Sequence, residues 1–364
     1  MIGTAMMLAT VMTGAVEYSV IDVGSLAGGD NALPPGTVAA DIGPAGTVVG
    51  SSVLSGVDAD FRAYTWTAGS MMELIHLGMH GQSQAFAVNG FGDVAGVSFQ
   101  LGDLLPVGMA WNAAGIPTVL GEIVPQDISD DGLIVGAAPT DFTGLHYRAA
   151  QWDGGVITML PDLGGLDSVA REVGADGRIV GGATPGGADG HHAVLWQDGM
   201  IIDLGTPGGA TSQAYAISPS GRIVGHGRTA GGQVRAFMAD VDSAGAVQTF
   251  TTLSAIDNTF AYARGINAAH DIVGTSDSRA VRWDAAGTLV DLNDLIPPGS
   301  GWVLTHALAI NDAGQIVGKG LHLGKPRAFL LSPADVCPGD ANGDLQVNFE
   351  DLNLVLDHWG NPGG

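Results

Sequence analysis

The sequence predicts an all-β fold, a seven-bladed β-propeller of four-stranded repeats. The first of three observations is a motif ending in hydrophobic-Val-Gly, loosened in the second copy, that recurs seven times along the 364 residues. Intervals of 40 to 49 residues separate its final glycines, which are Gly50, Gly96, Gly136, Gly181, Gly225, Gly274 and Gly318. A fixed period of this length is typical of repeat folds in which each copy forms one structural unit.

The second observation is that each copy contains four short segments suited to β-strands. In the sixth copy they are residues 263–267, 271–274, 279–283 and 288–292. They are rich in β-branched residues and are separated by Gly, Asn, Asp and Ser, the residues that favour turns. Within the repeats, no apolar period of 3.6 residues is long enough to predict a helix. Four strands in each of seven repeats indicate a propeller.

The third observation concerns the two ends of the repeat region. The seventh copy stops after its third segment, at residues 327–331, whereas residues 18–24 match a fourth segment such as 201–205. The N-terminal strand can therefore complete the last blade and close the ring, which leaves no open sheet edge. If the N-terminal strand is the outer strand of the last blade, the Ala-x-x-Ile segment is the innermost strand of each blade and the Asp-Leu-Gly segment is the outermost.

Composition divides the chain into three predicted regions: a signal peptide at 1–15, the propeller at 16–332 and a tail at 333–364. The first region is apolar, too short for a membrane span, and ends in small residues, as signal peptides do. The protein is therefore expected to be secreted or associated with the cell surface. Its single cysteine, Cys337, cannot form an intramolecular disulfide, although an intermolecular one stays open.

Charge restricts the possible partners. There are 37 acidic and 13 basic side chains, giving a formal charge of −24, and the only lysines are Lys319 and Lys325. Because binding to nucleic acid or anionic membranes depends on clustered Lys and Arg, we expect neither partner. The negative charge favours solubility, and the protein is expected to be a monomer.

Two further patterns repeat between blades. Tryptophans occupy one position of the third strand and are predicted to pack between blades: Trp66, Trp111, Trp152, Trp196 and Trp283. Arginines of the third strand recur where the fourth strand carries an acid, which predicts the cross-strand ion pairs Arg62 with Glu73, Arg148 with Asp162, Arg279 with Asp291 and Arg327 with Asp22. Arg235 is an exception, because Thr252 takes the place of its acid.

Residues 17–331 resemble the bacterial HAF-repeat proteins, an extracellular repeat family. The resemblance is carried by Gly-Ile-Asn-x-x-x-x-Ile-Val-Gly at 265–274, Arg-Ala-Phe at 327–329 and Ser-Gly-Trp-Val-Leu-Thr-x-Ala at 300–307. It implies an exported propeller and no particular biochemical activity.

The tail contains a spacing typical of a calcium loop. Side-chain oxygens lie at loop positions 1, 3, 5, 9 and 12, and position 7 supplies a backbone carbonyl, so the predicted metal ligands are Asp340, Asn342, Asp344, Gln346, Asn348 and Asp351. The segment resembles one half of a type I dockerin, an EF-hand-type module. Leu345 stands where such loops carry glycine, and only one loop-helix unit is present, which argues against a cohesin-like partner.

Candidate site residues lie on the inner strands, which converge on the channel of a propeller. The position before the recurrent isoleucine, here called the acidic column, carries Asp41, Asp127 and Glu172 in three copies. Arg171 and Arg264 stand one residue earlier in their copies, in the adjacent column. Expected export, the lack of a catalytic signature and the HAF-repeat resemblance together predict a secreted, non-enzymatic binding or surface scaffold propeller for an extracellular polysaccharide or protein. The alternative is a carbohydrate-active hydrolase or lyase in which these carboxylates perform acid and base chemistry.

Overall fold

The computed structural model describes residues 18–26, 36–54, 61–78, 81–99, 105–141 and 144–334. These residues form 28 strands in seven antiparallel sheets of four strands each. The described helical structure consists of two short 3₁₀ turns, Ile256–Asn258 and Leu292–Leu295. The predicted all-β seven-bladed propeller is confirmed.

The first three blades follow one another along the chain, each with its inner strand first. Blade 1 consists of β2 (Val38–Ile42), β3 (Val48–Val53), β4 (Phe61–Thr67) and β5 (Ser70–Glu73). Blade 2 consists of β6 (Gln82–Val88), β7 (Val94–Phe99), β8 (Val107–Trp111) and β9 (Pro117–Gly121). Blade 3 consists of β10 (Val124–Ile128), β11 (Ile134–Pro139), β12 (Tyr147–Asp153) and β13 (Val156–Met159).

The remaining blades repeat this order. Blade 4 consists of β14 (Gly164–Val173), β15 (Ile179–Pro185), β16 (His192–Gln197) and β17 (Met200–Gly205). Blade 5 consists of β18 (Gly208–Ile217), β19 (Arg222–Thr229), β20 (Val234–Val241) and β21 (Val247–Thr252). Blade 6 consists of β22 (Ala261–Ile266), β23 (Ile272–Ser276), β24 (Arg279–Trp283) and β25 (Leu289–Asp291).

Blade 7 joins the two ends of the described chain. It consists of β26 (Trp302–Ile310), β27 (Ile316–His322), β28 (Lys325–Pro333) and, at its outer edge, β1 (Tyr18–Asp22). The register of β1 against β28 runs from Tyr18 opposite Pro333 to Asp22 opposite Phe329. The predicted closure of the ring by the N-terminal strand is confirmed.

The repeated glycine of the second strand has a steric cause. In every blade the inner strand carries one extra residue, a β-bulge, beside this glycine. A Cβ atom added at any of the seven glycines would lie 1.9 to 2.1 Å from a carbonyl oxygen of the inner strand. Such a distance is far inside van der Waals contact. Glycine therefore recurs because it lets the two innermost strands approach at the bulge.

The hydrophobic core consists of seven clusters, one between each pair of neighbouring blades. The repeated tryptophans lie in these clusters as predicted, with Trp111 and Trp283 fully buried and Trp152 partly buried. The indole nitrogens of Trp111, Trp196 and Trp283 donate to the backbone carbonyls of Ile75, Pro161 and Ser254. These bonds satisfy a polar atom that burial would otherwise leave unpaired.

The predicted cross-strand ion pairs are confirmed in all four blades. Arg62 contacts Glu73 at 3.2 Å, Arg279 contacts Asp291 at 3.1 Å and Arg327 contacts Asp22 at 3.4 Å, and Arg148 also contacts Asp162. Arg235 instead donates to the backbone carbonyl and side chain of Asn258. These pairs join the third and fourth strands near the surface, where water and salt weaken such interactions.

Three sequence predictions concern residues outside the described ranges: the signal peptide, the tail calcium loop and Cys337. No helix in the described ranges is long and apolar enough to cross a bilayer.

Candidate functional site

A cavity of about 340 Å³ lies where the inner strands converge. Each blade contributes its bulged residue to the lining, and these seven residues, here called the channel ring, are Ala40, Phe86, Gln126, Arg171, Tyr215, Arg264 and Leu308. Because each bulge inserts one residue, it changes the alternation of side chains along the strand. The backbone repeats around the ring, and the side chains do not.

The channel ring divides into an apolar arc and a polar arc. Leu308, Ala40 and Phe86 come from the consecutive blades 7, 1 and 2, and the residues from blades 3 to 6 are all polar or amphipathic. A cavity with apolar walls and a few convergent polar groups is the usual form of a ligand site. The asymmetry cannot come from the repeated fold, so it marks the channel as the candidate functional site.

The polar arc centres on Tyr215. The guanidinium carbon of Arg264 lies 4.2 Å from the centroid of the Tyr215 ring, and that of Arg171 lies 5.2 Å from it. Arg171 also donates to the amide oxygen of Gln126 at 2.5 Å. Burial lowers the pKa of Arg171, and the charge of Arg264 lowers it further. Two like charges therefore lie over one aromatic ring, and cation–π attraction to the ring partly offsets the repulsion between them.

Two histidines lie close to the polar arc and are neutral at physiological pH. His226 packs against Tyr215 and Tyr262, with ring centroids 5.4 and 4.7 Å apart. Burial lowers the pKa of His226 to about 4, helped by Arg264 and Arg171. Burial also lowers the pKa of His306 to about 4, with Lys319 and Arg264 contributing. The local charge of this part of the channel is positive, whereas the whole protein is strongly negative.

The three carboxylates predicted from the sequence all line this cavity, and they lie in it half-buried. Each accepts a hydrogen bond from a backbone N–H of the next blade: Asp41 from Val88 at 2.9 Å, Asp127 from Val173 at 2.8 Å, and Glu172 from Ile217 at 3.0 Å. A carboxylate in this position joins adjacent blades at the end of their inner strands. The structure thus gives all three residues a structural contact between blades.

Enclosure in the channel raises the pKa of each of these carboxyl groups. Burial raises the pKa of Asp127 to about 7, and the charge of Asp41 adds to the effect. Burial also raises the pKa of Glu172 well above its usual range, with Asp127 and Asp41 contributing. The pKa of Asp41 is raised by burial against the opposing effect of two backbone hydrogen bonds. The three groups therefore interact across the channel.

This arrangement predicts a pH-dependent cost of folding at Asp127. The unfolded carboxyl loses its proton near pH 4, whereas the folded one keeps it until about pH 7. The native state then binds more protons than the unfolded state, so this group's contribution to stability falls as pH rises from about 4 to 7. Relative to the parent protein, Asp127→Asn should gain about 4 kcal/mol between pH 4 and pH 8, because about 3 pKa units separate the folded and unfolded carboxyl.

Denaturant unfolding of Asp127→Asn at several pH values measures this difference. Asp284→Asn is the matched control, because the Asp284 carboxylate accepts backbone hydrogen bonds at the surface and its pKa is lowered. Its variant should lose, not gain, relative stability as pH rises through the acidic range. A difference between Asp127→Asn and the parent that stays constant from pH 4 to pH 8 would contradict the proposed titration.

Sequence reasoning found part of this site. It identified Asp41, Asp127 and Glu172 on inner strands, and it placed Arg171 and Arg264 in the adjacent column. It missed Gln126, Tyr215 and Phe86, although they occupy the same repeat position as the arginines. Reading the residue before the acidic column in all seven copies would have found them. Among the described residues no group of three or more His, Cys, Asp or Glu side chains could hold a metal ion.

Comparisons with known proteins support the fold. No family model and no curated protein matches the chain, so the HAF-repeat and dockerin resemblances gain no support. A structure from a study of two prolyl endopeptidases aligns with a TM-score of 0.58 at 12% identity, covering 88% of this chain and 48% of that one. A puromycin-hydrolyzing peptidase of Mycobacterium tuberculosis aligns with a TM-score of 0.53 at 14% identity, covering 87% and 54%.

TolB from Acinetobacter baumannii aligns with a TM-score of 0.47 at 13% identity, covering 68% of this chain and 63% of that one. The chain thus spans about half the length of the two peptidases and slightly less than two thirds of TolB. At these identities the likeness to the two peptidase structures shows the fold alone. The fold and the site together define a seven-bladed β-propeller with an asymmetric, partly cationic central channel.

Proposed function

We propose that this protein is a non-enzymatic binding propeller that receives part of an extracellular polymer or protein in its central channel. The observation that carries the proposal is the division of the channel ring into an apolar and a polar arc on an otherwise repeated backbone. A scaffold that only held its blades together would not require Arg171, Tyr215 and Arg264 to face the same cavity. Converging polar groups beside an apolar wall are suited to hold and orient a ligand.

The hydrogen bonds of the carboxyl groups also favour binding over hydrolysis. In each of Asp41, Asp127 and Glu172, one carboxylate oxygen accepts a hydrogen bond from a backbone N–H of the neighbouring blade. A general acid or base must reach the reacting group of the substrate. A group that holds the inner strands together is less free to do so.

A carbohydrate-active hydrolase or lyase is the second candidate, and one observation favours it. Three carboxyl groups share a cavity, and the pKa of Asp127 is raised to about 7. Raised carboxyl pKa values are common at catalytic sites, because a general acid must keep its proton near neutral pH. A hydrolysis assay distinguishes this candidate from the binding propeller.

The proposal also includes export and a calcium-binding tail. The apolar segment at 1–15 and the HAF-repeat resemblance support secretion or cell-surface association. The spacing of Asp340, Asn342, Asp344, Gln346, Asn348 and Asp351 supports a calcium loop outside the described residues. The tail would then act as a small calcium-dependent module beside the propeller.

One experiment tests these proposals on two proteins, the full chain and a chain ending at Ser332. Both are applied to a glycan and peptide array, assayed for hydrolysis of the bound polymers, and titrated with calcium by calorimetry. We expect both to bind the same array ligand without cleaving it, and only the full chain to bind calcium. Cleavage that Asp127→Asn abolishes would establish the enzyme, and equal calcium heats for the two chains would overturn the calcium loop.

A channel variant connects binding to the site. Ala40 belongs to the apolar arc, so Ala40→Trp should fill the cavity and abolish binding of the array ligand. The matched control is Ala45→Trp, because Ala45 is exposed in the turn after the same strand. Binding that survives in Ala40→Trp would place the ligand elsewhere and overturn the channel proposal.

A further inference from the structure

Arg264 carries a charge that the described residues do not neutralise. No hydrogen bond or ion pair in the described part of the chain involves its guanidinium group. Its contacts are with aromatic rings, Tyr215 at 4.2 Å and Tyr262 at 5.7 Å from the ring centroids. The cross-strand arginines of the outer strands, by contrast, pair with acids. A half-buried guanidinium without an acidic partner is suited to an anion from outside.

Arg171 is fixed beside it by neutral groups. It donates to the Gln126 amide oxygen at 2.5 Å, and the Gln213 amide, oriented with its oxygen towards Arg171, accepts at 3.0 and 3.2 Å. Amide oxygens orient the guanidinium without cancelling its charge. The structure therefore holds two cationic groups around Tyr215, one anchored and one free to bind.

The surroundings add positive charge and no acidic ion partner. Burial lowers the pKa of His306, and the charges of Lys319 and Arg264 lower it further. Burial and the charges of Arg264 and Arg171 lower the pKa of His226 in the same way, so both histidines are neutral. The same cavity is also lined by Asp41, Asp127 and Glu172, whose oxygens accept hydrogen bonds from backbone amides. None of the three forms an ion pair with Arg171 or Arg264 within the described ranges. Asp127, with a pKa of about 7, is still partly ionised at neutral pH, and its charge opposes a doubly charged phosphate more than a singly charged carboxylate.

We propose that the channel binds a carboxylate-bearing sugar, a hexuronate, with the carboxylate on Arg264 and Arg171 and the body of the sugar along the apolar arc. The inference rests on the proposed function and names the ligand class of that site. A planar guanidinium matches the two oxygens of a carboxylate with paired hydrogen bonds. Phe86 and Leu308 offer apolar surface to the C–H face of a sugar, and Gln126 in the same lining offers its amide to a hydroxyl. A cavity of about 340 Å³ is within the usual range for small-ligand sites.

Calorimetry on the full chain tests the proposal with three probes of one ring size: D-glucuronate, D-glucose and glucose 6-phosphate. We expect glucuronate to bind at least about tenfold more tightly than the other two, because they lack a planar carboxylate. Arg264→Gln should weaken glucuronate binding by about tenfold or more. Arg228→Gln is the matched control, since Arg228 is exposed on β19 of the neighbouring blade and should leave binding unchanged.

A second variant keeps the test decisive if Arg264→Gln does not fold. Arg171→Met removes the anchored cation and should also weaken glucuronate binding, with thermal unfolding of each variant as the folding check. Equal binding of glucose and glucuronate, or no glucuronate binding, overturns the inference. Tighter binding of glucose 6-phosphate assigns the site to phosphate and likewise overturns it. If glucuronate fails while Ala40→Trp still abolishes binding of an array ligand, the channel function stands and only the ligand class is wrong.

Discussion

Gly225→Ala is expected to destabilise the propeller by about 3 kcal/mol or more, the largest effect we anticipate for adding one methyl group. The new Cβ would lie 2.0 Å from the carbonyl oxygen of Gln213 and 2.9 Å from both the Cα of Ala214 and the ring of Phe237. Backbone atoms on one side and a fully buried ring on the other leave no flexible group to yield. The two strands must separate, and the interstrand hydrogen bonds beside the bulge weaken.

The matched control is Gly231→Ala in the same blade. Gly231 lies in an exposed turn between β19 and β20, and the nearest atom to an added Cβ is the Thr229 hydroxyl oxygen at 3.8 Å. This variant should change the free energy of unfolding by less than about 0.5 kcal/mol. Denaturant unfolding of both variants measures the difference. Equal stability of the two variants would show that the steric cause assigned to the repeated glycine is wrong.

Gly225 lies opposite the β18 bulge, and the bulged residue lines the channel. Tyr215 is the extra residue between Ala214 and Ala216, which pair with Gly225 and Val224. A strand separated at Gly225 should shift the Tyr215 ring, over which both arginines lie. We therefore expect any Gly225→Ala protein that still folds to lose ligand binding together with stability. Loss of stability with full retention of binding would argue that the bulge does not position the polar arc.

Deletion of β1 is expected to be at least as damaging, with a loss of about 5 kcal/mol or an aggregated product. A chain lacking residues 1–24 exposes the edge of β28 that β1 covers, from Phe329 to Pro333. It also removes Tyr18, which is 2% exposed in the cluster between blades 6 and 7, and the contact of Asp22 with Arg327. The ring then has an open blade, and unpaired backbone groups become available to another chain.

A chain starting at Val16 is the control for this deletion, because it keeps β1 and lacks only the predicted signal peptide. Thermal unfolding and size-exclusion chromatography compare the two. Tyr18→Ala gives a milder measure and should cost about 3 kcal/mol, as large-to-small substitutions in a core do. A monomeric, equally stable chain without residues 1–24 would mean that closure by β1 is dispensable.

The fold could be predicted closely because its determinants are local and repeated. The hydrophobic-Val-Gly motif, the third-strand tryptophans and the arginine–acid pairs each occur several times, so chance variation in one copy does not hide the pattern. Arg235 shows the limit of this reasoning. Its acid partner is missing from the sequence, and the chain supplies Asn258 from the loop leading to the next blade, a contact that no repeat pattern indicates.

The site could be predicted only in part. The acidic column was identifiable because Asp and Glu are unusual on an inner strand, and all three carboxylates do line the channel. Their role was not identifiable, since the bonds to Val88, Val173 and Ile217 join residues 45 to 47 positions apart. The direction of each inner-strand side chain also depends on the bulge, which resets the two-residue alternation of a strand.

The amino-acid sequence by itself determined the number of blades, the four strands of each, the closing strand and the net charge. These properties follow from local backbone preferences, from side-chain alternation and from composition. The tertiary structure alone decided that Gln126, Arg171, Tyr215 and Arg264 meet in one channel and that the carboxylates connect neighbouring blades. The reason is physical: residues from different repeats come within contact distance only when the ring closes, and the bulge then turns one side chain of each blade towards the axis.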